Sequence, residues 1–248
     1  MHKFFVNPND ISGQKISICD DAGHISRVLR LSAGDKVIVF DGTGTEYRCE
    51  LEIVGKNECV AAICDTRACT SEASIKATLF QAIPKSGKME LIIQKCTELG
   101  IFEIYPFFSE YTVVKLDSER ERMTKTERWQ KIAVEAAKQC GRGVVPKIHS
   151  PIEFDAAIKI AQNLDSAIMP YELLAQSEKK DLRKLLSNIE KQKNIGIIIG
   201  SEGGFCESEA EIAESAGIKL VGLGKRILRT ETAGLAVLSI IMYENGEI

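Results

Sequence analysis

Ile195-Gly196-Ile197-Ile198-Ile199-Gly200-Ser201-Glu202-Gly203-Gly204-Phe205 carries five consecutive apolar residues straight into a loop of three glycines. A strand without polar alternation is covered on both faces, which is the signature of a parallel sheet in an α/β protein. In open α/β sheets ligands bind beyond the carboxyl ends of the strands. Glycines placed there let a ligand approach the backbone with no Cβ in the way. The loop lacks the Lys-Ser/Thr of a P-loop and the spacing of a dinucleotide fingerprint. Glu202 would repel a phosphate and suits a ligand with a positive centre better. A purely structural turn is the competing reading.

Downstream, Lys219 to Leu223 reads as another buried strand, followed by Gly224-Lys225-Arg226-Ile227-Leu228-Arg229 and a helix from about Thr230, its expected N-cap. Arg229 stands beside a helix N-terminus, where the dipole disfavours a cation. It therefore has a task or a carboxylate partner, unless it is a plain surface arginine. Upstream, Ile75–Ile83 reads as a buried strand broken by Pro84-Lys85-Ser86-Gly87. Met89, Ile92, Ile93, Cys96 and Leu99 recur at helical spacing and stop at Gly100. Ile101–Phe108 is a further strand. Trp129, Ile132, Ala133, Ala136, Ala137 and Cys140 form one stripe of a long helix ending at Gly141. Ser150-Pro151-Ile152-Glu153 looks like a capping box opening the next helix. A strand at Ala167–Met169 and a polar helix with Leu182, Leu185, Leu186 and Ile189 complete an alternating α/β pattern.

The amino end differs. Val37–Phe40 is apolar, Asp41-Gly42-Thr43-Gly44 is turn chemistry, Glu46–Ile53 alternates, and a further strand runs through Cys59–Cys64. Short, closely spaced strands suggest a small barrel. Thr70–Ser74 is the linker candidate, so two domains are expected, 1–72 and 73–248.

Only Phe4-Phe5-Val6 could start a secretory apolar region, and Gly234–Met242, the longest apolar run, is far short of the roughly 20 residues of a membrane span. A cytoplasmic protein without a membrane partner is expected. The net charge of −3 hides an uneven distribution: −3 over residues 1–75, +4 over 76–150 and −4 over 151–248. The positive middle fits a local basic surface for phosphates, or an ordinary solvated helix face. Eight cysteines include no Cys-x-x-Cys pair, and there are three histidines, so buried reduced thiols are expected and no metal.

The loop GSEGGF (200–205) with LGKRILRTETA (223–233) closely resembles the paired signatures of the 16S ribosomal RNA uridine-N3 methyltransferase family, within the SPOUT superfamily. The resemblance extends over QAIPKSGKMELIIQKCTELGI (81–101), SERERMTKTERWQKIAVEAAKQCGR (118–142) and HISRVLRLSAGDKVIVFDGTGTEY (24–47). Five blocks in order thus span nearly the whole chain. Two departures stand out: Ser201 occupies the usual place of a proline, and Cys206 that of a serine cap, a change worth on the order of 1 kcal/mol.

The resemblance implies a PUA-like β-barrel for RNA binding over 1–72. Over 73–248 it implies a SPOUT methyltransferase domain with a carboxy-terminal trefoil knot, which periodicity could not have indicated. It implies S-adenosylmethionine held in a bent shape by the knot loops, and a homodimer that completes the site. By position the methyl donor would lie against Met169, Gly200, Glu202, Gly203, Leu223, Gly224, Ile227, Leu228 and Arg229. Leu223 and Leu228 would make backbone contacts to adenine. Arg229 is the expected cation for charge developing on the uracil oxygen, and Glu231 would either hold Arg229 or take the proton. Arg27 and Arg30 on the barrel, with Lys85, Lys88, Lys95 and Arg142 on the basic segment, are candidate contacts to 16S RNA in the small subunit. The final helix, with Ala233, Gly234, Ala236 and Ser239 as a small-residue surface and Leu235, Leu238 and Met242 as apolar area, is the expected dimer element. The alternatives are another RNA target on the same fold, or a ribosome-assembly protein that binds RNA without catalysis.

Overall fold

The structure, a computed structural model, describes residues 1–174, 182 and 193–248, and divides into two compact units. Unit 1 comprises Met1–Glu72 with Ala137–Val145, and unit 2 comprises Ala73–Ala136 with Pro146–Ile248.

Unit 1 is built on a six-stranded sheet of β1 (His2–Phe5), β2 (Ile11–Ser12), β3 (Lys15–Ile18), β4 (Lys36–Phe40), β5 (Thr45–Val54) and β6 (Cys59–Ala68), in the order β1-β4-β5-β6-β3-β2. Only β1 and β4 run parallel. Alternate residues (Ile16, Ile18, Val37, Val39, Cys49, Leu51, Cys59, Ala61) face one core, so the period-2 pattern of the sequence is the burial pattern. The turn at 41–45 is fixed by Asp41, whose carboxylate accepts from Thr43 N–H (2.8 Å) and Thr45 N–H (3.2 Å). Residues 137–145 are tied into this unit by Glu72. Its carboxylate takes the Arg142 guanidinium (2.7 Å) and the N–H groups of Gly143 (2.9 Å) and Val144 (3.1 Å).

Unit 2 holds an all-parallel sheet of β7 (Lys76–Ala82), β8 (Glu103–Phe108), β9 (Lys147–Ile148), β10 (Ile152–Glu153), β11 (Ser166–Pro170), β12 (Asn194–Ile199) and β13 (Lys219–Val221). Its order is β10-β8-β7-β12-β11-β13, with β9 also on β8. The helices are α1 (Lys88–Glu98), α2 (Glu119–Cys140, whose last four residues fall in unit 1), α3 (Phe154–Ala161), α4 (Glu207–Ser215) and α5 (Thr230–Glu244). α3 and α4 cover one face of the sheet around Phe80, Phe107, Met169, Ile198 and Phe205. On the other face α5 lies close: a Cβ on its Gly234 would sit 3.5 Å from Ile199 and 3.7 Å from Leu79. The central strands are thus buried on both sides, the arrangement their largely apolar sequence requires.

Gly100 (φ +89°) and Gly141 (φ +80°) close α1 and α2 as their sequence positions predict. Three local expectations are corrected. Ile152-Glu153 is not the first turn of a helix but an edge strand, in register with Phe107 and Phe108; α3 starts at Phe154 with no side-chain cap. The cysteines are not uniformly buried: Cys49, Cys59 and Cys96 are, while Cys19, Cys64 and Cys140 are exposed. Burial raises the thiols of Cys49 and Cys96 to about 12. Thr230 is not the N-cap of α5 but its first residue, because its hydroxyl is bonded elsewhere. The helix expected over Leu182–Ile189 lies, apart from Leu182, outside the described residues. Among the described residues no helix is long and apolar enough to cross a membrane.

Candidate active site

The segments that follow β7, β11, β12 and β13 converge at the carboxyl ends of the sheet, where they surround a cavity of about 370 Å³. Its walls come from Pro170–Glu172, from Ile199–Glu202 with Gly204 and Phe205, and from Leu223, Gly224 and Arg226–Thr230, with Lys88 at one side. This is the place where parallel sheets bind ligands.

The glycine loop owes its shape to one turn. Gly204, at φ +70°, donates its N–H to Ser201 O (3.1 Å), and a Cβ on Gly200 would meet the Gly204 backbone at 3.0 Å. At Gly203 a Cβ would lie 2.7 Å from that of Tyr111. A second connection holds the loop against α5. The Thr230 hydroxyl donates to Gly200 O (2.6 Å) and accepts from the amide of Gln81 (2.9 Å), a residue without solvent access at the end of β7. Two strand ends and a helix start are therefore locked by one hydroxyl. Buried polar groups of this kind are strongly specifying when they are satisfied.

Charge is concentrated at the Lys88 side. Lys88 Nζ lies 2.9 Å from Glu202 Oε1 and 3.3 Å from Glu231 Oε2. Glu202 also accepts the N–H of Lys85 (3.1 Å). Desolvation pushes the Glu202 carboxyl upward, but the hydrogen bonds from Lys88 and from backbone N–H groups outweigh it and hold the carboxyl below its ordinary value. The Glu202 hydrogen bond in turn raises Lys88. Two buried polar atoms near the cavity, Gln81 Oε1 and Ser201 Oγ, have no hydrogen-bond partner, and the buried Glu231 Oε2 has only the Lys88 ammonium beside it.

Of the residues expected at the donor site, Gly200, Glu202, Leu223, Gly224, Ile227, Leu228 and Arg229 line this one cavity. Met169 and Gly203 do not. Met169 is fully buried in the core behind it, and Gly203 serves the close packing of Tyr111. Arg229 is exposed and makes no side-chain hydrogen bond or ion pair with the described residues. Glu231 therefore does not hold Arg229 in this structure; its carboxylate meets Lys88. The basic candidates separate as well. Arg27, Arg30 and Lys85 are exposed, and Lys95 pairs with Glu98 (2.7 Å). Arg142 is only 5% exposed and is bound to Glu72, so as placed it is a structural cation of unit 1 rather than an RNA contact. Sequence reasoning missed Gln81, Tyr171, Glu172 and the site role of Lys88. For Lys88 a signal existed: a cation directly after Gly87, at the start of a helix, where the dipole opposes it.

A family model described as an RNA methyltransferase domain matches residues 71–242, and one described as an RNA methyltransferase PUA domain matches residues 13–64. Ribosomal RNA small subunit methyltransferase E of Bacillus subtilis is 37% identical over 227 residues, 91% of this chain and 88% of the relative. The chain belongs to the ribosomal RNA small subunit methyltransferase E family. The Synechocystis member is 32% identical, covering 97% of this chain and 77% of its own length. Among solved structures, the Neisseria gonorrhoeae methyltransferase E bound to S-adenosyl methionine superposes with a TM-score of 0.84 at 29% identity, over 98% of this chain and 97% of that one. A putative methyltransferase from Legionella pneumophila in complex with the same cofactor gives 0.85 at 28% identity, over 97% and 96%. The family's SPOUT-type α/β domain and small amino-terminal PUA-like domain are therefore the two parts of this chain.

Proposed function

We propose that the chain transfers a methyl group from S-adenosylmethionine to N3 of one uridine in 16S ribosomal RNA, acting in the cytoplasm on the small subunit. The observation that carries the reading is the cavity at the sheet's carboxyl ends. It is lined by both glycine-bearing loops and carries Glu172 and Glu202 beside a partly apolar wall of Ile199, Leu223, Ile227 and Leu228. That composition fits the methyl donor: apolar surface for the adenine, carboxylates for a cationic sulfonium, and close backbone approach at Gly200. Its size falls within the roughly 300–1,000 Å³ of small-molecule sites. Ser201, which lines it, has a hydroxyl without a hydrogen-bond partner that a ligand would satisfy.

When bound, the donor supplies an electrophilic methyl on a sulfonium, which leaves as a neutral thioether as N3 takes the methyl. The chain's own work is alignment and proton removal. The turn at Ser201–Gly204 and the Thr230 hydroxyl hold the loop that faces the donor, and orientation of this kind can contribute several kcal/mol. Glu231, held by Lys88 through Oε2, accepts the N3 proton on Oε1. Arg229, exposed at the cavity edge, stabilises charge developing on the uracil oxygen. The uridine is received unstacked, as chemistry on a base requires. Arg27, Arg30 and Lys85 supply phosphate contacts that fix position without reading sequence. The chain works as a homodimer through the part of α5 left uncovered.

The test is incubation of the purified chain with S-adenosylmethionine and small subunits from cells lacking it, followed by mass-spectrometric mapping of the 16S RNA. One N3-methyluridine is expected. A methyl on another atom would overturn the N3 assignment, and no transfer at all would overturn the reading.

A further inference from the structure

Lys88 is the first residue of α1, directly after Gly87, whose φ of +73° turns the chain into the helix. A cation there faces the positive end of the helix dipole and is disfavoured. It is also poorly placed for a solvated phosphate contact, because only 26% of its side chain is exposed and it borders the cavity. What compensates it comes from two other segments: Glu202, in the loop after β12, and Glu231, one residue into α5. One ammonium thus joins the three segments that the Gln81–Thr230–Gly200 bonds join from beneath. Elsewhere on α1 the lysine is used differently: Lys95 meets Glu98 on its own helix.

We propose that Lys88 is a positioning residue for methyl transfer, fixing Glu231 for proton removal and Glu202 on the donor side, and is not an RNA-phosphate contact. The inference rests on the reaction proposed above. Lys88 stays protonated throughout and exchanges no proton with the base; its hydrogen bond to Glu202 favours that state. Lys88 meets Glu231 through Oε2, which is buried, and Oε1 has no partner among the described residues. Oε1 can therefore receive the N3 hydrogen while the ammonium on Oε2 holds the carboxylate in place.

The experiment compares the full-length wild type with Lys88→Gln, Lys88→Arg, Glu231→Gln and the double variant Lys88→Gln/Glu231→Gln. Four quantities are read: single-turnover rate at saturating donor and subunit, donor affinity by calorimetry, subunit affinity against salt, and thermal midpoint. Lys88→Gln is expected to slow the saturated rate on the order of 10- to 100-fold, the scale of a misplaced catalytic group. Lys88→Arg, which keeps the charge, should recover most of it. The double variant should be no slower than Glu231→Gln alone, since a residue that acts through another is non-additive with it. Donor binding should weaken in Lys88→Gln, and the salt slope of subunit binding should not change. If Lys88→Gln is unstable, Lys88→Met keeps the stem packing and repeats the comparison. A saturated rate within about twofold of wild type, with a salt slope reduced by about one, would make Lys88 a phosphate contact and overturn the proposal. A wild type that transfers no methyl overturns the underlying reaction instead, so the two failures are distinct.

Discussion

Arg229 and Glu231, two residues apart in sequence, have opposite surroundings: one is exposed with no described side-chain partner, the other is half-buried against Lys88. An unpaired guanidinium at a cavity edge is available to a substrate. Arg229→Ala is expected to lower the single-turnover rate roughly 10²–10³-fold at saturating donor, the scale of removing an oxyanion donor. A rate that recovers with added donor would mean the arginine anchors the donor, since uniform binding acts on KM. A second residue-scale prediction lies at the amino ends of the strands. Glu103 accepts from His149 (2.7 Å) and Thr78 (3.2 Å), and His149 stacks on Tyr105 with ring centroids 3.7 Å apart. Burial would raise the Glu103 carboxyl, yet the bond from His149 and its neighbours hold it below the ordinary 4.5. A carboxyl lowered by folding contributes stability above its unfolded value and loses it as pH falls through the folded value. Urea titrations from pH 7 to pH 3 should therefore show less acid destabilisation in Glu103→Gln than in wild type. None of these partners was legible beforehand. Arg229 and Glu231 drew notice by their place in a signature, but an ion pair between residues 88 and 231 is a product of the fold, and sequence separation conceals it.

The elements were far more legible than the pairings. β11 and β12 were readable because residues buried on both faces leave an almost unbroken apolar run, β7 because its apolar residues outnumber Lys76, Thr78 and Gln81, and α1 and α2 because a glycine ends each. Errors fell where a tertiary bond overrode a local preference. Thr230 has the chemistry of an N-cap, but Gly200 O and Gln81 claim its hydroxyl, and the helix starts one residue earlier, with Arg229 as the cap. Ser150-Pro151 has the composition of a helix start, but Ile152-Glu153 is taken by the edge of β8. The Thr230 bonds are testable. Thr230→Val keeps the shape, leaves Gly200 O without the hydroxyl and leaves the Gln81 amide with only its bond to Ala82 O, which should lower stability by about 1–3 kcal/mol in a urea titration and weaken donor binding. Gly204→Ala places a Cβ at φ +70° and should lower stability by roughly 1–2 kcal/mol, with a further loss of donor affinity because the Ser201–Gly204 turn would open.

At the scale of the molecule, order of segments was readable in the sequence and surface chemistry was not. The charge excess of residues 76–150 pointed to a basic face, yet Arg142 lies buried on Glu72, Lys95 is neutralised within its own helix and Lys88 is held at the cavity. The final helix gives the same lesson. Ala233, Gly234, Leu238 and Met242, expected to meet a second copy, are buried within unit 2, whereas Ile240 and Tyr243 are exposed. If the dimer uses this helix, Ile240→Glu with Tyr243→Glu should shift the chain to monomer in light scattering at micromolar concentration, and Leu238→Glu should unfold it instead. A stable pair should bury about 1,200–2,000 Å² or more.

Residues 137–145 belong to unit 1 although 64 residues of unit 2 separate them from Glu72. During synthesis, therefore, the amino-terminal unit cannot finish folding when its first 72 residues have emerged. The Glu72 carboxylate must wait for Arg142, Gly143 and Val144, a delay of about 4–15 s at typical elongation rates of roughly 5–20 residues per second. In that interval the nascent chain carries an incomplete first unit while β7, α1 and β8 are already outside. The part made first is thus completed only after much of the catalytic part has appeared, and a chain released before residue 145 would leave neither unit whole.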